Sequence, residues 1–554
     1  MIGLMSDQRL EEMAVVVNPG EDDVAVAKCA ISAGTALESG RFGRLVVRDD
    51  VAMGHRFALR GVERGQWIKQ YGQPFARSLG IAAGDPIDAR TSANEVPHVD
   101  AQSIELRTPV LPAWEGARPT FMGFKRPGGR VGVRNWVLIV PTSMCSSHEA
   151  STIAMRAEIG GIWSREKYPN VDGVTAIPHT RGCGCPDMEP RADGSGQLMG
   201  MVEASMRMLG RYIEHPNVGA VLVIELGCEK TNLHAVGKYI TLGAGEPASA
   251  RGPRGNALVN FGQQHGKPII TLSIQNSGGT AGTVKRGLEL LPQLLEEANR
   301  STRTECDASE LAVGLKCGGS DAFSGLTANP ALGVASDRLV RAGGTTVITE
   351  ITEFFGAEHL FAARARDRAV AGQVFGAMER FRNYVDRVGG SMAENPSPGN
   401  KEGGLLNITI KSLGALAKSG TAAVEGVLDY GELAWERGRR GLWLLYCPSY
   451  DQESVPAQVA SGCQIVCFTT GRGTGIGNAI APVIKIGSNG ALYRRMGGDI
   501  DLNAGVVLDD NRSVEEVGRE LFEQILAVAS GQRVKAEENG HREFMIWSEE
   551  GVSL

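Results

Sequence analysis

Four segments of this chain run from an apolar stretch straight into a cysteine. They are 137–145 (VLIVPTSMC), 174–183 (VTAIPHTRGC), 220–228 (AVLVIELGC) and 311–317 (LAVGLKC). Short runs of β-branched and aliphatic residues that stop at small or polar ones read as buried strands, and open parallel sheets carry their chemistry outside the strands' carboxyl ends. Amphipathic stretches at 149–159, 197–212 and 285–299, with a further strand at 268–274, make strand and helix alternate. That alternation constrains the fold to largely parallel sheets with helices on both faces, and it places four thiols where such sheets do their work.

At 554 residues the chain exceeds one ordinary core, and roughly 150 residues per domain predicts three or four units. Residues 1–95 carry short strand-like runs (MAVVV, RLVVRDD, HRFALR, WIKQYG) split by glycines, which reads as a small all-β module. A polar, proline-containing stretch at 96–119 reads as a linker. A first α/β domain is expected over 120–305. A second follows over 306–554, with strands near 311–315, 345–349, 442–446 and 464–468. Within it lies an excursion rich in Gly, Pro and Asn at 391–404 (SMAENPSPGNKEGG), of the kind that forms functional loops.

The formal charge of -6 is spread over mixed acidic and basic residues, so no basic stripe invites nucleic acid and no polybasic patch invites a membrane surface. A small anionic ligand is the better expectation. The start (MIGLMSDQRLEEM) lacks the charged and apolar regions of a signal peptide, and no stretch approaches about 18 apolar residues, so a cytoplasmic location is expected. Ten cysteines in this length are not disulfide-dense; clustered in a reducing compartment they bind metal or do chemistry, whereas an isolated buried one is a small hydrophobe.

Cys145 precedes Ser146, Ser147, His148 and a helical stretch, where free backbone N–H groups favour thiolates and anions. His179 and Cys183 close the next strand, with Cys185 two residues on; sulfur and imidazole suit iron or zinc. No CxxC pair has the downstream partner a zinc finger or ferredoxin needs. Cys317 opens CGGSDAFSG, where glycines admit an anion to the backbone and Ser320, Asp321 and Ser324 add polar contacts. A second glycine-rich turn, FTTGRGTGIGN at 468–478, offers Thr470 and the planar fork of Arg472 to a carboxylate. Neither turn is a nucleotide loop by spacing, and both also read as plain tight turns. In the β module, His55 stands in MGHRFAL; a lone histidine is commonly structural. Asp499 and Asp501, in GGDIDLNAG, read as turn and capping groups.

Together, GGRVGVRN (128–135), the turn at Cys145, HTRGCG (179–184), LGCE (226–229), CGGSDAFSGLTANPALG (317–333), GAEHL (356–360), NPSPGNKEGGL (395–405) and FTTGRG (468–473) resemble the altronate/galactarate dehydratase family. The resemblance implies an N-terminal SAF (β-clip) domain, with GHRFAL at the place of its GHK motif. It implies a lyase removing water from a sugar acid to give a 2-keto-3-deoxy product with a divalent metal, commonly iron. Such a reaction takes a proton from the carbon beside a carboxylate, and the resulting dianionic state needs a Lewis acid and fixed donors. The candidate catalytic residues are then His55, His179, Asp321 and Lys411. The candidate substrate contacts are Arg90, Lys316, Ser320, Ser324, Thr470 and Arg472. The candidate metal ligands are Cys145, Cys183, Cys228, Cys317 and Asp88. Fe(II) is the expected metal, and an iron–sulfur cluster on Cys145, Cys228 and Cys317 is the alternative. A homodimer is the expected assembly.

Three departures from the family pattern bear on substrate. Asp88-Ala89-Arg90-Thr91 stands where sugar-acid members carry His-Thr-His-Asn, Thr409 and Ile410 precede Lys411 and Ser412 where a glutamate pair is usual, and Lys316 replaces a common glutamate. Asp88 is then a replacement ligand for a lost imidazole. A site made more positive favours an extra anionic group, such as a sulfonate or second carboxylate. Carbon–sulfur elimination, hydrolysis of a related carboxylate and a non-catalytic paralogue are the alternative functions.

Overall fold

The computed structural model describes residues 8–549 except 184–188, 191–196, 199–200, 239, 243–245 and 248–255. Residues 8–93 form three small three-stranded sheets, paired mostly antiparallel. β1 (Val24–Ala27) is buried along its whole length and pairs with β2 (Arg56–Ala58), placing Arg56 opposite Val26. The apolar neighbours of Arg56 thus draw a guanidinium into the interior. β3 (Trp67–Gln70) and β4 (Gln73–Ser78) join through Tyr71 and Gly72, whose φ values of 58° and 71° supply the two-residue turn that matches strand twist.

The stretch at 96–119 is fastened along the C-terminal domain. Arg107 N–H donates to Ala363 O (2.7 Å), Thr108 Oγ1 to Ala365 O (2.6 Å) and Trp114 N–H to Arg341 O (3.2 Å). It is a strap rather than a free tether, because its backbone groups find fixed partners.

β5 (Thr120–Lys125) leads into a parallel sheet built from β6 (Trp136–Pro141), β7 (Gly173–Ala176), β8 (Val218–Glu225) and β9 (Ile269–Ser273), in the order β7-β6-β8-β9. All eight residues of β8 are buried, as a strand covered on both faces requires. α1 (Met144–Ile159) and α2 (Gly279–Asn299) pack together on this sheet through Ile153, Ala157, Leu291 and Leu294. β10 (Thr304–Asp307) then returns antiparallel to β5, from Thr120↔Asp307 to Gly123↔Thr304, so the chain enters and leaves this domain side by side.

The last domain is an all-parallel sheet of seven strands. They are β11 (Ala312–Cys317), β12 (Thr345–Ile348), β13 (Val424–Leu428), β14 (Gly441–Leu445), β15 (Ile465–Thr470), β16 (Val483–Gly487) and β17 (Leu502–Asn503), in the order β13-β14-β12-β11-β15-β16-β17. α3 (Ala328–Arg341), α4 (Ile408–Leu416) and α5 (Val514–Ala529) cover it. Ser513 and Glu516 cap α5 reciprocally, and the Asn407 side chain caps α4. Among the described residues no helix is long and apolar enough to cross a membrane.

Strand order reverses once in each parallel sheet, between β6 and β8 and between β11 and β15. At such a switch point the two following loops diverge to opposite faces and leave a crevice.

Candidate active site

The first crevice gathers three thiols. Cys145 follows β6 in the first turn of α1, Cys183 follows β7 and Cys228 follows β8, and all three are exposed. The Cys145 thiol beside Cys183, with Cys228 and Glu229 farther out, holds the Cys183 thiol above the usual range. Glu229 lies beneath. Burial opposes its ionisation, yet bonds from Thr142 Oγ1 (2.6 Å), Gly227 N–H (2.7 Å) and Leu226 N–H (2.8 Å) hold its carboxyl below the usual range. Cys185 lies outside the described residues.

His179 is buried beside this crevice with both ring nitrogens engaged. Nδ1 accepts from Arg181 N–H (3.2 Å), and Nε2 donates to Pro141 O (3.0 Å). Burial pushes its pKa down to about 4, so it stays neutral. Its expected role as a base gives way to a structural one, pinning the turn that carries Cys183.

The second crevice joins the loops after β11 and β15. Gly471 and Arg472 donate their N–H groups to Gly319 O (3.0 and 2.7 Å), and Gly319 has φ 56°. Asp321 is the hub: its carboxylate accepts from Ser324 N–H (2.8 Å) and Oγ (2.8 Å), Ser488 Oγ (2.8 Å) and Asn489 Nδ2 (2.9 Å). Burial raises its pKa against those bonds. With its lone pairs committed, Asp321 shapes the crevice, and Ser324 serves Asp321. Thr470 Oγ1 accepts from Gly473 N–H (3.0 Å). Ser320 Oγ, by contrast, is buried with no hydrogen-bond partner. Arg472 is exposed and paired with Glu402 (3.2 Å).

Cys317 departs from the other cysteines. It ends β11, in the other domain, where Glu350 and Glu353 bring carboxylate oxygens close enough to share a metal with its sulfur. A lysine ammonium fills that place. Lys418 Nζ contacts Cys317 Sγ (2.9 Å), Glu350 Oε2 (2.5 Å) and Glu353 Oε2 (3.1 Å). Burial, then the two carboxylates, push the Cys317 thiol far up, and its S–H donates to Glu353 Oε2 (2.8 Å). Cys317 is buried and bound to Lys418 and Glu353 in the last domain, whereas Cys145 and Cys228 are exposed in the domain before it. Lys316 is fully buried and paired with Glu350 and with Asp451 (2.9 Å). It is sealed away from any ligand rather than presented to one. Lys411 Nζ closes the network on Glu353 Oε1 (2.8 Å) and Asn395 Oδ1 (3.1 Å). Three lysines thus face Glu350, Glu353 and Asp451 in balance.

A cleft of about 540 Å³ runs between the β module and the C-terminal domain, lined by His55, Arg56, Asp88, Asn94, Lys401 and Asn407 among others. The excursion 395–404 forms its wall, and backbones meet there. A Cβ on Gly404 (φ 94°) would stand 2.3 Å from Gly54 O. His55 Nε2 faces the carbonyl of Glu402 (3.3 Å). Asp88 is held by Arg90 through Nε (2.9 Å) and Nη2 (2.6 Å), and Arg90 also reaches Asp49 (3.1 Å). Both Arg90 and Asp88 are therefore committed to each other; Arg90 is no free cation, and Asp88 has its carboxylate occupied. Asp499 and Asp501 accept from Asn539 Nδ2 (3.1 Å) and from Lys485 and Lys535 N–H (2.8 Å each), as turn and capping groups do.

Sequence reasoning did not single out Arg56, Glu350, Glu353 or Lys418. Each is a charged residue within an apolar run (HRFAL, VITEITEFF, LGALAKSG), and such a residue has to find a partner when its neighbours go inside.

Comparison with known proteins gives the family. Family models match in order along the chain: the altronate/galactarate dehydratase SAF domain at residues 12–91, the D-galactarate dehydratase/altronate hydrolase second domain at 123–299, and the D-galactarate/altronate dehydratase C-terminal domain at 308–552. Altronate dehydratase of Bacillus subtilis (strain 168) is 35% identical over 538 residues, covering 96% of this chain and 98% of that one. Galactarate dehydratase (L-threo-forming) of Escherichia coli (strain K12) is 34% identical over 529 residues, covering 94% and 92%. The (2R)-sulfolactate sulfo-lyase subunit beta of Chromohalobacter salexigens is 34% identical over 430 residues, covering 77% of this chain and 97% of that subunit. With all three domains matched and the similarity running nearly end to end, this chain belongs to the altronate/galactarate dehydratase family of hydro-lyases.

Proposed function

We propose that this protein dehydrates a linear sugar acid of the altronate or galactarate type to a 2-keto-3-deoxy acid. The observation that carries the reading is the similarity to dehydratases along nearly the whole chain, the β module included. The reaction removes a proton from the carbon beside the carboxylate and releases the neighbouring hydroxyl as water. His55 is the proton-transfer group in this reading: its Nε2–H is directed at the Glu402 carbonyl, which leaves Nδ1 as the basic nitrogen. Ser320 Oγ and the glycine-rich backbone held by Asp321 provide donors for the acid's oxygens. Lys411, bound to Glu353 and Asn395, keeps the 395–404 wall in place.

Cys145, Cys183 and Cys228 are the residues that would hold iron in this reading, being exposed soft donors of which Cys145 and Cys183 are hydrogen-bonded neighbours. Iron held there would supply a Lewis acid. Elimination of sulfite is the second reading, motivated by the sulfo-lyase relative. The charge argument for it weakens, because Lys316 and Arg90 are both neutralised by carboxylates.

Protein purified without oxygen, assayed for iron and acid-labile sulfide and offered altronate, galactarate and sulfolactate, tests the reading. Keto-deoxy acid formed from either sugar acid supports it. Sulfite release alone transfers the assignment to the sulfo-lyase reading, and an iron-replete protein inert toward all three overturns both.

A further inference from the structure

Arg56 stands out among the charged groups of the cleft because it is buried, whereas Lys401 is exposed and Asp88 is paired with Arg90. It is fully buried yet lines the cleft wall. Its Nε donates to Gln70 Oε1, and its Nη1 reaches across the domain junction to the carbonyl of Gly404. Both acceptors are neutral, and among the described residues no carboxylate forms an ion pair with it. Burial pushes its pKa down to about 10, with the Tyr71 phenol acting slightly the other way. Even so the group remains charged at neutral pH, an uncompensated cation inside the protein.

One further observation points to a missing acceptor at this spot: Gln70, whose carbonyl oxygen accepts from Arg56 Nε–H, has its Nε2 buried with no partner. Three other polar groups around the cleft have partners, and Lys401 is an exposed cation on its lining. Asp88 is bound by Arg90, Asn407 caps α4 and donates to Phe75 O (2.8 Å), and His55 faces Glu402 O.

We infer that Arg56 is the carboxylate anchor of the cleft, its free guanidinium edge binding the carboxylate of the acid beside His55. This assignment rests on the sugar-acid reading above. A planar fork recognises two carboxylate oxygens at once, and the carboxylate supplies the counter-charge that the buried arginine lacks. Arg56 donates hydrogen bonds only; the proton transfer belongs to His55. Because Nη1 also holds Gly404, the same residue ties the β module to the 395–404 wall.

Calorimetric titration of wild type, R56Q and R56K with galactarate and with galactitol, its uncharged alditol, tests the assignment alongside kcat and KM for whichever acid is turned over. Wild type is expected to bind the acid and not the alditol. R56Q is expected to weaken acid binding by roughly 10- to 150-fold, with KM rising more than kcat falls, and R56K to fall between. A folded R56Q that binds acid as tightly as wild type overturns the anchor. Should R56Q not fold, R56K decides, since it keeps the charge and loses the fork; unchanged affinity and KM refute the assignment. A wild type that turns over altronate or galactarate while both variants are indifferent sinks the anchor alone, whereas a wild type that binds and turns over neither sinks the functional reading and the anchor together.

Discussion

Replacing Lys418 with methionine should destabilise the C-terminal domain sharply. The ammonium is fully buried and touches one thiol and two carboxylates, and the surrounding charges balance only while it is present. Methionine follows the lysine stem and leaves little cavity, so the loss is electrostatic. Removing one partner from a buried charge network costs about 3–5 kcal/mol. For the domain matched at 308–552, at about 2–4 °C per kcal/mol, the thermal midpoint should drop by roughly 6–20 °C. The penalty should also depend on pH in one direction. Burial and then Glu353 already hold the Glu350 carboxyl above the usual range, and without Lys418 it takes up a proton more readily, relieving the excess charge. Since protonation is favoured as pH falls, the gap between variant and wild type should be smaller near pH 5 than near pH 8. Scanning calorimetry at both values reads this directly. A drop below about 2 °C, or a gap indifferent to pH, would refute the account of Lys418 as the counter-ion that holds the network neutral.

Other perturbations give distinct signatures. Alanine at Gly404 forces a Cβ toward Gly54 O and strains a φ of 94°, so G404A should lose activity and release the β module in limited proteolysis while the α/β domains stay folded; an active, protease-resistant G404A would contradict this junction. His215 and His179 are buried and neutral, with pKa values pushed down to about 3 and about 4, so the unfolded chain takes up their protons first. Stability should be fully present above about pH 6.5 and decline as pH falls toward 4, by up to about 1.4 kcal/mol per pH unit for each histidine, and H215N should flatten that slope in urea unfolding. Metal-free protein treated with diamide should form a Cys145–Cys183 disulfide, found by peptide mapping, because the two thiols are hydrogen-bonded neighbours; mapping that finds both thiols free would place them farther apart.

The strand-to-cysteine runs were legible because a parallel strand buried on both faces has to be apolar throughout and stop at its crevice, as β8 does before Cys228. The same pattern also placed the strand before Cys317, β11, in the second α/β domain, but not the carboxylates and lysine that surround its thiol, which come from residues 33 to 101 positions away. Lys316 looked like a ligand-binding charge because its partners lie 34 and 135 residues away, on Glu350 and Asp451, and only the fold brings them together. His179 drew attention as an imidazole near thiols, while its use by Pro141 and Arg181 depends on backbone geometry that a sequence does not display. Arg56 went unnoticed beside His55 since an arginine next to a histidine in a short strand reads as surface charge until its register opposite Val26 is known.

The side-by-side entry and exit of the second domain bears on the order in which the chain assembles. Four residue pairs join β5 to β10, and cross-strand pairs contribute roughly 0.2–1 kcal/mol each. Joining them through an unfolded stretch of roughly 180 residues would cost about 4–5 kcal/mol in loop-closure entropy, more than the pairs typically return. Once β6 to β9 have folded, the two ends already lie together and that cost is gone. The inserted domain therefore favours the closure of β5 on β10, so a defect in β6 or β8 should loosen that pair while the 96–119 strap keeps its own bonds to the last domain.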